Sequence, residues 1–141
     1  MRKLRPEVER QLRLDWLSSV NEIADLGLQR RSWLDPLVRN PHWSYVEFCE
    51  SFPKLDQLEG AREEGWLKQS EYEILSELRR AIHAHTPPSG KDYDHAVILA
   101  DPAWQAVVAV AERAKQRLLA IVRDDDGRQA LSGPLSHKPY Q

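Results

Sequence analysis

A chain of 141 residues has room for one hydrophobic core and not for two. Its 41% apolar and 30% charged residues are ordinary for a folded soluble protein, and five Trp, four Tyr and two Phe exclude disorder over the whole length. A formal net charge of −2 argues against a nucleic-acid partner held by charge alone, and the single Cys49 excludes an internal disulfide framework and a multi-cysteine zinc site.

The opening run Met1-Arg2-Lys3-Leu4-Arg5-Pro6 is basic, but Glu7, Glu9 and Arg10 follow where a secretory signal would need an apolar stretch. No apolar run approaches the ~18 residues of a bilayer span. A cytoplasmic protein without membrane association is expected.

The first helix is predicted from Pro6 to about Leu26. Proline suits the first turn, Glu7 and Glu9 suit the positive end of the dipole, and Val8, Leu12, Trp16, Val20 and Ile23 fall on one face. Gly27 reads as its stop. Arg30 to Val38 reads as a short helix broken by Pro36, Asn40-Pro41 as a turn, and Trp43 to Phe52 as another short helix closed by Pro53. Leu55, Leu58 and Ala61 continue helical spacing to Gly65. Ser70-Glu71-Tyr72-Glu73 then matches a capping box ahead of Ile74, Leu75, Leu78, Ala81 and Ile82.

Thr86-Pro87-Pro88-Ser89-Gly90 ends that helix, and Ala96-Val97-Ile98-Leu99 is β-like or a buried connector. The last helix opens with Asp101 as N-cap and Pro102 at its first position. Trp104, Val107, Val108, Val110, Ala111, Ala114, Leu118, Ile121 and Val122 cover about half its circumference, as expected of a central helix. An all-α irregular bundle of five to six helices is therefore predicted, with a single domain over residues 1–123 and a polar, flexible tail over 124–141.

Three constellations bear on chemistry. His83, His85, Asp94 and His95 lie within thirteen positions and are ligand types for zinc, manganese or iron, but the spacing matches no metal motif and a histidine at a helix end also complements the dipole. No metal or other cofactor is therefore assigned. Arg79 and Arg80 precede His85 at a spacing that resembles HEPN-domain ribonucleases. That resemblance implies arginine on the scissile phosphate and His85 as general acid/base, with the site completed across a dimer. Ala81 stands where that family usually has a polar residue.

The third constellation is a charge asymmetry. Between Asp56 and Glu77 seven acids (Asp56, Glu59, Glu63, Glu64, Glu71, Glu73, Glu77) face only Arg62 and Lys68, whereas Met1 to Arg13 holds five bases and two acids. Two solvated helices look like this, and so does a surface for a basic partner. The aromatic residues His42, Trp43, Tyr45, Trp33 and Trp66 read better as anchors for short helices than as a stacking platform. Cys49 reads as a small buried hydrophobe.

Arg30-Arg31-Ser32-Trp33-Leu34, Phe48-Cys49-Glu50, Glu71-Tyr72-Glu73-Ile74-Leu75 and Asp101-Pro102-Ala103-Trp104 with Val107 and Ala111 form a pattern over residues 25–120. It resembles small bacterial immunity-type proteins of polymorphic or contact-dependent toxin systems. The resemblance implies a non-enzymatic protein that binds and blocks a cognate toxin. A basic toxin domain would then meet Glu59, Glu63, Glu64 and Glu71, with Trp66 as an apolar anchor. Besides this reading and the ribonuclease stands a third, a structural or regulatory helical module without ligand.

Overall fold

A computed structural model describes residues 4–34 and 44–134, Ser89 by its backbone only, and over these residues the chain folds into eight α-helices and no strand. They are α1 (Pro6–Ile23), α2 (Leu26–Leu34), α3 (Tyr45–Ser51), α4 (Leu55–Glu63), α5 (Gln69–Ala84), α6 (His95–Ala100), α7 (Pro102–Ile121) and α8 (Asp125–Ser132), with a 3-10 turn at Pro88–Gly90. The predicted break at Pro36, the Asn40-Pro41 turn, His42 and Trp43 lie outside the described residues.

The all-α reading holds, with more helices than the five to six expected. Two short helices account for the difference. Residues 96–99 belong to α6, which buries Ile98 and Leu99, so the β-like run is a helical turn made stable by tertiary contact. Residues 125–132, expected within a flexible tail, form α8. There the Asp124 carboxylate accepts the Gly127 N–H at 2.8 Å, and Leu131 is fully buried.

Local signals elsewhere act partly as expected. Asp101 caps α7 by accepting from the Ala103 N–H at 3.0 Å, with Pro102 at the first position. Gly65 takes φ +86° just beyond α4, a conformation that favours glycine. Gly27, by contrast, stops nothing. α1 ends at Ile23, and the Asp25 carboxylate accepts the Leu28 N–H at 2.9 Å to start α2, leaving Gly27 inside that helix. The predicted capping box at Ser70 is not formed, because α5 already begins at Gln69, whose side chain donates to Glu73. Ser44 caps α3 instead: its hydroxyl accepts the Glu47 N–H and donates to the Glu47 carboxylate.

α7 is central. It packs against α5 and α1, and also touches α6 and α8. Trp104, Val107, Val108, Ala111, Ala114 and Leu118 are its buried residues. They meet Leu75 and Leu78 of α5 and Leu17 and Val20 of α1 in one core; full burial of a side chain the size of leucine stabilises by about 1.5–3 kcal/mol. α5 runs antiparallel to α7, since Glu77 pairs with Arg117 and His85 with Asp101. α8 lies along α1 in the same direction, since Asp124 meets Arg13 while Asn21 donates to the Gly133 carbonyl. No helix among the described residues is long and apolar enough to cross a membrane.

Candidate functional site

Helical periodicity places Asp56, Glu59 and Glu63 along one stripe of α4, with Gly60 beside them and Glu64 just beyond. Asp56, Glu59 and Glu63 are exposed, and no ion pair among the described residues engages them or Glu64. Next to the stripe α4 and α1 leave a groove of about 250 Å³. Leu12, Trp16 and Trp66 line it, with Leu4 at 41% exposure and the Asp56 and Glu64 carboxylates contributing polar edges. Trp66 stacks on Trp16 with ring centroids 5.2 Å apart, and its indole N–H donates to Glu64 at 3.2 Å. The indole is thus held half-exposed in a fixed pose, the form of an anchor that loses little entropy when covered.

Glu71 does not belong to this surface. It is fully buried, and its two carboxylate oxygens accept from the Arg13 guanidinium at 2.9 and 3.1 Å. Arg13 also reaches the Asp124 carboxylate at 3.2 and 3.1 Å, so one guanidinium ties α1, α5 and the start of α8. These bonds raise the Arg13 pKa further above its ordinary value and hold the Asp124 carboxyl below the usual carboxylate range. Of the other acids, Glu77 pairs with Arg117 at the surface and Glu73 accepts from Gln69. Of the acidic run, Asp56, Glu59 and Glu63 are the exposed acids of α4, while Glu73 and Glu77 lie exposed on α5.

The ribonuclease arrangement is not formed either. The His85 side chain is 1% exposed, its Nδ1 lies 2.8 Å from the Tyr45 hydroxyl and its Nε2 lies 3.0 Å from the Asp101 carboxylate. Both ring nitrogens therefore have a hydrogen-bond partner inside the fold. The bond to His85 also holds the Asp101 carboxyl below its usual range. Arg79 turns to the Cys49 and Phe52 carbonyls, while Arg80 is exposed. Neither arginine shares a cleft with His85.

The four candidate metal ligands are likewise dispersed: no group of three or more His, Cys, Asp or Glu among the described residues is arranged to hold a metal. His83 is exposed, His85 is inside, and His95 packs on Trp33 at 5.4 Å, where burial lowers its pKa. Burial pushes the Cys49 thiol up to about 12, which keeps it protonated and unreactive at neutral pH.

Sequence reasoning passed over three polar residues with defined structural roles. Gln29 is fully buried; its amide donates to the Glu22 and Ile23 carbonyls and accepts the Trp104 indole N–H at 2.9 Å. Glu22 is pushed up to about 7 by burial. Arg13 looked like one more base in a basic N-terminal run. Trp33 of α2 and Tyr45 of α3 are buried against each other and against Trp104 of α7, so these two aromatics anchor short helices. No protein-family model, no curated protein and no solved structure matches the chain.

Proposed function

We propose that this chain is a non-enzymatic protein-binding domain that engages a basic protein through the acidic stripe of α4 and the adjoining Trp16–Trp66 groove. The observation that carries the reading is the conjunction of exposed carboxylates that form no ion pair among the described residues (Asp56, Glu59, Glu63) with an apolar groove at their side. An apolar anchor flanked by charge of one sign suits a partner that offers lysines or arginines around an apolar side chain. Within this class, the resemblance to immunity-type proteins makes a basic toxin domain the partner we put forward, in a soluble compartment of a bacterial cell. The burial of His85 supports the choice of class, since it takes the general acid/base of the ribonuclease reading out of reach of a substrate.

The test compares the tagged wild type with a Glu59→Lys/Glu63→Lys variant as baits, followed by titration of the recovered partner against both. The expected outcome is one stoichiometric basic protein on the wild type and an affinity at least about tenfold weaker for the variant, mostly through a slower, less salt-sensitive on-rate. Stability should change by no more than about 0.5 kcal/mol. Equal affinity of the two proteins would remove the stripe from the interface.

A further inference from the structure

A second groove, of about 440 Å³, lies where the start of α4 meets the last turns of α5. Lys54, Leu55 and Asp56 line it from one side and Arg79, Arg80 and His83 from the other. Positions 79 and 83 are one helical turn apart and share a face. Lys54, Arg79 and Arg80 bring three positive charges and Asp56 one negative, a net charge of +2 from these four side chains. Arg79 is the least comfortable of them. It is half-buried, and among the described residues its guanidinium donates to two carbonyls at 3.5 and 3.4 Å and pairs with no carboxylate. A partly desolvated cation without a counter-ion is costly, and an anion in the groove would offset that cost.

We propose that this groove binds a small phosphate monoester carrying an apolar body. The net charge of +2 matches a dianion, where a carboxylate would leave one positive charge unmatched. The walls are mostly apolar, built from Leu55 and from the aliphatic stems that lysine and arginine present beneath their charged heads. The space exceeds what a phosphate ion needs and lies within the size range of small-molecule sites. The two helix ends at the groove oppose each other, the positive end of α4 against the negative end of α5, so the side chains decide the sign. The groove shares Asp56 with the acidic stripe but faces the α5 side of it, and neither proposal requires the other.

The experiment is a titration of the full chain, isotopically labelled and followed by amide resonances, with octyl phosphate, octanoate and inorganic phosphate in parallel. Octyl phosphate is expected to shift the amides of Leu55, Arg80 and His83 saturably, with a dissociation constant below about 1 mM. Octanoate and inorganic phosphate should each bind at least about tenfold more weakly. Arg80→Ala and Lys54→Ala alter exposed residues, keep the fold intact by their spectra, and should each weaken octyl phosphate by about tenfold. Absence of saturable shifts in the groove overturns the proposal, as does binding unchanged in both variants. Equal affinity for octanoate overturns the assignment of a dianion, and equal affinity for inorganic phosphate overturns that of an apolar body.

Discussion

The two ends of α5 are locked into the bundle by opposite chemistries. At the start, the buried Glu71 carboxylate is gripped through both oxygens by Arg13, an ion pair taken mostly out of water, with side-chain exposures of 1% and 15%. At the end, an equally buried imidazole, His85, is satisfied by a phenol and by the carboxylate that also caps α7. A buried ion depends almost wholly on its partner, because nothing else nearby solvates it. A ring hydrogen-bonded to two separate partners keeps one of them when the other goes. The lesson concerns function as much as stability, because both residues carried catalytic or binding promise as letters in a sequence, and both are consumed in holding helices together.

Removing the cation should break the contrast most severely. Arg13→Ala strands Glu71 without a counter-ion and is expected to cost about 3–5 kcal/mol in urea denaturation. A loss below about 1 kcal/mol would mean that the buried pair contributes no more than an ordinary hydrogen bond and that the two locks are alike. His85→Ala leaves the Tyr45 hydroxyl and one Asp101 oxygen unsatisfied, for an expected loss of about 1–3 kcal/mol by the same measurement. A cost equal to that of Arg13→Ala would erase the distinction from the other side.

The smallest effect tests the rim of the charged lock. Asp124 is half-exposed, so its bond to Arg13 is screened, and Asp124→Asn should cost less than about 1 kcal/mol at neutral pH. Its carboxyl is held below the ordinary value in the folded state, so its contribution is complete above the unfolded value and disappears as pH falls through the folded one. Denaturation curves of wild type and variant should therefore converge on acidification below about pH 4. Divergence in acid would contradict the sign of that shift.

Legibility in the sequence followed the strength of local signals. α7 could be read because Asp101-Pro102 marks its start and its apolar arc is wide enough to need several neighbours. α6 and α8 could not, since each is a short helix with only two buried residues and is stable only once docked. Gly27 misled because a glycine after an apolar run reads as a stop, while the Asp25 cap two positions earlier overrides it. At the acidic surface, Glu59, Glu63 and Glu64 were visible by composition alone. Glu71 could be separated from them only through Arg13, 58 positions away, and His85 from Arg79 and Arg80 only through Tyr45 and Asp101. No local pattern encodes partners at that distance.

The pairing of α1 with α8 also sets a constraint on synthesis. α1 emerges from the ribosome early, yet the neighbour it packs against most extensively is the last helix described, and Asn21 waits for the Gly133 carbonyl. Until then part of the apolar face of α1 stays uncovered on the nascent chain, a target for chaperones and a liability for self-association.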